Sequence, residues 1–81
     1  MARYGLVWVE IALEQYAALP PGARERVDGR IEQLLERLDQ EPRSAHDNAT
    51  DQWTTTYGAG AGLIMYAVVH ERQRLIILRL V

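Results

Sequence analysis

The stretch from Gln52 to Val81, QWTTTYGAGAGLIMYAVVHERQRLIILRLV, decides the fold. Gln52 to Tyr57 alternates, with Trp53, Thr55 and Tyr57 facing one way and Thr54 and Thr56 the other, the pattern of a strand with two differently used faces. Gly58-Ala59-Gly60-Ala61-Gly62 reads as a flexible hairpin connection. A second strand runs from Leu63 to about His70, and a third from Arg74 to Val81 follows the charged turn Glu71-Arg72-Gln73. The second sets Leu63, Met65, Ala67 and Val69 against Ile64, Tyr66, Val68 and His70; the third sets Leu75 and Ile77 against Ile76, Leu78 and Leu80. Near-continuous apolar runs of this kind belong to central strands, and short connections join all three as an antiparallel meander.

Upstream, Glu41 to Asp51 (EPRSAHDNATD) is polar and without period, the signature of a loop. Before it lies the clearest helix, from about Ala23 to Leu38. Val27, Ile31, Leu34, Leu35 and Leu38 make one apolar stripe, while Arg26, Arg30, Glu32, Gln33, Glu36 and Arg37 take the opposite face. Pro20-Pro21-Gly22 separates it from a first helix over about Ile11 to Leu19, because proline cannot donate to the helical ladder. So short a turn implies an αα-hairpin. The opening run Tyr4 to Val9 reads as a strand with Tyr4, Leu6 and Trp8 opposite Gly5, Val7 and Val9. Both of its faces are apolar, which predicts a strand covered on each side or lying inside the sheet. The expected architecture is α+β, in the order β-α-α-β-β-β, as one domain over residues 1–81. It is a four-stranded, largely antiparallel sheet with the αα-hairpin packed on one face. Two helices cover only one side of such a sheet, so the other apolar face is left for a partner.

Composition bounds the function. Eighty-one residues, 48% hydrophobic and 25% charged, describe a small globular domain rather than a disordered chain. No apolar run approaches the roughly 20 residues of a spanning helix. The N-terminus turns acidic and amphipathic too early for a secretory leader, so a cytoplasmic protein with no membrane association is expected. The absence of cysteine excludes disulfides and thiolate metal sites, and no cofactor or metal is expected. All nine basic residues are arginine. Genomic base composition explains this, as it does the many alanines; planar, bidentate phosphate recognition is the sharper reading. A net charge of −2 argues against unaided, tight nucleic-acid binding.

Three segments carry a family resemblance: the opening strand, LPPGARERVDGRIEQLLERLDQEPR from Leu19 to Arg43, and YGAGAGLIMYAVVHERQRLIILRLV from Tyr57 onward. The last combines a glycine, a short apolar run, a tyrosine and a valine with a final Ile-Leu-Arg strand. Together they resemble the RelE/ParE superfamily of toxins from bacterial toxin–antitoxin pairs, over nearly the whole chain. The resemblance implies a cognate antitoxin as partner, with the ribosome and its mRNA or DNA gyrase as target. Ribosome-dependent members assist attack of a 2′-hydroxyl on the adjacent phosphate, which needs a base, cations and an acid. ParE-type members poison gyrase without being nucleases. This sequence departs from the RNA-cutting pattern in three places. The strand Gln52 to Tyr57 has no lysine, Leu63 stands where an arginine is expected three places before Tyr66, and the sequence ends at Val81 without the basic and aromatic residues that usually follow. The expectation is therefore a toxin of this type with weak or absent ribosome-dependent mRNA cleavage. The alternative is a non-enzymatic interaction module, a degenerate relative acting through protein–protein binding, including as a homodimer.

If cleavage exists, the resemblance makes Arg79 and Tyr66 the catalytic candidates, Arg79 for phosphate charge and Tyr66 to orient or stack a base. Packing and salt bridging are the plainer roles for both. Trp53 and Tyr57, with Arg72 and Arg74, are the candidates for substrate or partner binding; each base stack is worth about 1–3 kcal/mol, but no lysine lies near them and core packing explains them as well. Arg74 and Arg79, five residues apart, are expected on opposite faces of their strand, whereas Arg72 and Arg74 share a face if the turn stays extended. His46, near Asp47 and Asp51, reads as a solvated loop cluster or an acid–base pair, and His70 as a turn cap or a general base. The glycine run lacks the Lys-Ser/Thr and the strand-to-helix setting of a phosphate loop.

Overall fold

A computed structural model describes residues 4–36 and 44–81. The elements are β1 (Gly5–Trp8), α1 (Glu10–Ala18), α2 (Pro21–Glu36), β2 (Ala45–Asp47), β3 (Gln52–Tyr57), β4 (Gly62–Val69) and β5 (Arg74–Leu80). The α+β order stands, but among the described residues the sheet has five strands rather than four, ordered β1-β5-β4-β3-β2. The added strand, β2, lies in the segment expected to be loop and pairs antiparallel with β3. Only three residues long and exposed throughout, it leaves no periodicity to read. Leu38, Arg37 and Pro42 lie outside the described residues.

β3, β4 and β5 form the expected antiparallel meander, and β1 pairs parallel to β5. β4 and β5 are central, as their apolar runs require. β1 is not: it is an edge strand, with Leu6 and Val7 each 40% exposed. Its apolar character on both faces reflects surface that the chain leaves open, not a buried position.

α2 starts with proline at its first turn, where the missing N–H costs nothing. Its Val27, Ile31, Leu34 and Leu35 are buried against Ile64, Tyr66, Leu75, Ile77 and Leu80 of the sheet. α1 lies along β5 and α2 along β3. Between the helices, the Tyr16 hydroxyl donates to both carboxylate oxygens of Asp28 at 2.8 and 2.9 Å. That hydrogen bond, followed by partial burial and the negative charge of Asp28, raises the ionisation of Tyr16 above its ordinary value of 10.

The glycine run is not a loose connection. Gly58 has φ +60°, and a Cβ there would stand 2.9 Å from Cδ of Arg26. Gly62 faces Tyr57 across the hairpin, and a Cβ would meet the tyrosine ring at 2.5–2.7 Å. Tyr57 folds over the strand because Gly62 offers no side chain.

Two consequences are measurable. Ile31 is 3% exposed, so Ile31→Ala should cost about 2–5 kcal/mol in a urea melt; a loss under about 0.5 kcal/mol would contradict its place in the core. Tyr16→Phe should lose about 0.5–1.5 kcal/mol at neutral pH. A raised phenol pKa stabilises the fold below pH 10, and the contribution is lost as pH rises through the higher folded value. The gap between wild type and Tyr16→Phe should therefore shrink in melts at alkaline pH.

Candidate functional site

Strand register sorts the candidate residues onto two faces, because paired residues on neighbouring strands share a face. One row crosses the whole sheet beneath the helices: His46, Trp53, Tyr66, Ile77 and Trp8. Trp53 and Tyr66 stack at 6.4 Å and 11°, and His46 lies on Trp53 with ring centroids 4.4 Å apart. At the other end, Trp8 meets Tyr16 edge-on at 5.0 Å. Tyr66 is 2% exposed and its hydroxyl donates to Oγ of Ser44 at 2.7 Å. Tyr57 is likewise buried. The aromatic candidates are thus packed on the helix-bearing side, with Trp53 half-buried at its margin.

The opposite face carries no helix among the described residues. Its rows are Ala45-Thr54-Met65-Arg79, then Ala67-Ile76-Val7, then Val69-Arg74-Gly5, with Thr56 and Leu63 beyond. Arg79 and Tyr66 therefore stand on opposite faces, and the structure does not bring this pair together. Arg74 and Arg79, expected on opposite faces, share the open one. The cause is a bulge: Met65 pairs with Arg79 and Tyr66 with Ile77, so Leu78 is an extra residue in β5 and the alternation inverts after it. The two arginines are four residues apart along β4, about 13 Å.

Arg74 lies over Gly5 and donates to the carbonyls of Arg72 at 2.9 Å and Gln73 at 3.3 Å. Arg72 sits in a 3₁₀ turn, His70–Arg72, followed by Gln73 in the left-handed region at φ +52°. The turn is not extended, so Arg72 is not aligned with Arg74 as a strand neighbour. Nδ1 of His70 shares a 2.7 Å hydrogen bond with the Tyr4 hydroxyl, tying the start of β1 to the end of β4. His46 contacts Asp51 at 2.8 Å and Asn48 at 3.0 Å, while Asp47 accepts the Ala49 N–H at 2.9 Å. Both histidines hold turns together, and among the described residues no group of three His, Cys, Asp or Glu residues is placed to grip a metal ion.

One residue was misplaced from sequence. Arg30, assigned to the solvent face of α2, is 6% exposed. Its Nε donates to the Thr56 carbonyl at 3.1 Å, one terminal nitrogen to Thr55 Oγ1 at 2.7 Å, and the other to Gln33 at 3.0 Å. It ties α2 to β3. No helix is long and apolar enough to cross a membrane among the described residues.

No family profile and no curated protein sequence matches this chain. Solved structures do. An arginine-to-alanine double mutant of the E. coli toxin RelE in the free state superposes with TM-score 0.81 at 19% identity, covering 98% of this chain and 82% of that one. The RelBE2 toxin–antitoxin complex of Mycobacterium tuberculosis gives 0.80 at 16%, covering 98% and 96%. The intact E. coli RelBE toxin–antitoxin complex gives 0.73 at 19%, covering 95% and 93%. At these identities the likeness establishes the fold: the chain has the RelE fold.

The packed position of Tyr66 is testable. Tyr66→Phe should cost about 0.5–1.5 kcal/mol by loss of the Ser44 bond, and Tyr66→Ala about 3–5 kcal/mol. Equal, negligible losses in both variants would return the ring to a surface role.

Proposed function

We propose that this chain is the toxin of a toxin–antitoxin pair, cytoplasmic, and held by a cognate antitoxin across surface that its two helices leave open. The observation that carries the reading is the RelE fold shared over nearly the whole chain with toxins and toxin–antitoxin complexes. The composition of the open face supports action by binding, with weak or absent mRNA cleavage. On β1, β3, β4 and β5 its charged residues are Arg74 and Arg79, and it bears neither carboxylate nor imidazole. Asp47 shares that face at the far edge, where its carboxylate is taken up by the Ala49 amide. Cleavage through a 2′-hydroxyl needs a proton acceptor and a donor beside the phosphate. Arg79 supplies charge stabilisation alone.

A second reading, an interaction module without toxicity, rests on the apolar edge around β1, where Leu6, Val7, Ile11 and Leu13 are exposed. A patch of this kind suits association with another chain, a second copy included. Induced expression separates the two. Growth arrest relieved by co-expression of the neighbouring gene is expected for a toxin; harmless expression at high level supports the module. In a translation extract programmed with one message, few or no new RNA ends should appear. Efficient, site-specific cutting that Arg79→Ala abolishes would replace the binding mode with catalysis.

A further inference from the structure

The geometry points to a homodimer in which β1 pairs antiparallel with β1 of a second copy, on a two-fold axis through Val7. β1 ends the sheet on one side among the described residues. In its parallel ladder with β5, Gly5 and Val9 donate inward, to the carbonyls of Gln73 at 2.7 Å and Ile77 at 3.2 Å. Backbone groups alternate in direction along a strand, so the N–H and C=O of Leu6 and Trp8 point to the free edge. Such an edge is a template for a further strand unless charge or proline guards it, and GLVW has neither.

The outward groups fix the register. Leu6 of each copy pairs with Trp8 of the other, each pair exchanging both N–H···O=C bonds, and Val7 meets its own equivalent in a close pair without hydrogen bonds. The side chains suit this arrangement on both faces. On the open face the two Val7 side chains meet, each 40% exposed in the single chain. On the helix-bearing side Leu6 and Trp8, with Leu13, Tyr16 and Ile31, line a groove of about 240 Å³ whose polar members are Asp28 and Glu32. Pairing of Leu6 with Trp8 of the second copy covers that groove at the sheet edge.

Charge favours a second copy in this orientation. In this register Gly5 falls opposite Val9 of the other chain. Arg74 lies across Gly5, and among the described residues only one of its terminal nitrogens is engaged, by the carbonyls of Arg72 and Gln73. Val9 stays extended, and the exposed Glu10 follows it at the start of α1. Antiparallel pairing therefore sets Arg74 at one end of β1 against Glu10 of the copy, twice by symmetry; parallel pairing would set like charge against like. The inference rests on the second-copy association of the interaction module and gives it a surface and a register. It is independent of toxicity.

The test is sedimentation equilibrium of the full chain over a range of concentrations, with oxidative cross-linking. A reversible dimer of the 9.2 kDa chain is expected. Val7→Lys, which sets two ammonium groups on the axis, should weaken it about tenfold or more. Arg74→Glu should also weaken it, and adding Glu10→Arg in the same chain should restore it. The protein has no cysteine, so Val7→Cys reports one contact: paired Cα atoms about 4.5 Å apart admit a disulfide between copies. It should cross-link readily, and Thr56→Cys, on the same face away from β1, should not. Circular dichroism of each variant checks that it is folded. A dimer that keeps full affinity in Val7→Lys and leaves Val7→Cys uncross-linked overturns this surface while the association itself stands. A chain that is monomeric at every concentration overturns both. Protection of the Leu6 and Trp8 amides from hydrogen exchange only when the neighbouring gene's product is added would give the edge to that polypeptide and overturn the homodimer.

Discussion

The bulge at Leu78 sets the chemistry of both sheet faces. Without it, strict alternation from Leu75 and Ile77 would turn Arg79 under the helices and Leu80 out to solvent. A guanidinium taken from water without a partner costs several kcal/mol, whereas burying a leucine contributes about 1.5–3 kcal/mol. The extra residue settles this conflict by placing Leu80 in the core and Arg79 on the open face. It also disturbs the local ladder, and the helix layer answers it: the Leu80 N–H donates to Oε1 of Gln15 on α1 at 2.8 Å. The end of β5 is therefore fixed from both sides, by β4 through Leu63 and Val81 and by α1 through Gln15.

Much of the fold was legible because it rests on short-range periodicity. Val27, Ile31, Leu34 and Leu35 are buried as their spacing requires, and Trp53, Thr55 and Tyr57 share the helix-bearing face as their alternation requires. The faces of β5 were not legible beyond Ile77, since nothing in RLIILRL marks which residue is supernumerary. A bulge is chosen by the fit of two strands, and neither strand's sequence contains that fit. The same limit explains β1. An apolar run states that a strand has two greasy faces; it does not state whether the protein itself covers them.

Arg30 shows a different limit. Its charge grouped it with Arg26 on the solvent face, although at 3.6 residues per turn it stands only about 40° from Leu34 at the border of the apolar stripe. It lies buried between α2 and β3 because its partners, Thr55 and the Thr56 carbonyl, come from residues 25 and 26 positions away. Only tertiary contact distinguishes a solvated arginine from a buried one. The turn glycines follow the same logic. Their turn-forming character is visible in sequence, whereas the demand for bare backbone at Gly58 and Gly62 comes from Arg26 and Tyr57 pressing against them. The grouping of the candidate residues depended on register and bulge, so the shared face of Arg79 and Arg74 was recovered only in three dimensions.

The division of side chains between the faces bears on what the open one recognises. Single-stranded nucleic acid is gripped by aromatic rings offered for stacking, along a groove lined by positive charge. This chain places its aromatic row, His46, Trp53, Tyr66 and Trp8, on the helix-bearing side, where Tyr66 is closed off. On the open face stand Met65, Ala67, Val69, Ile76 and Val7, with Arg79 in the row on one side of them and Arg74 in the outer row on the other. An apolar centre with methionine, bordered by arginine, is the composition of a protein–protein contact, in which the middle is desolvated and the border stays polar. The open face is in this respect a poorer match to an RNA than to an apolar stripe on another polypeptide, and the separation follows from the same bulge that took Arg79 out of the core.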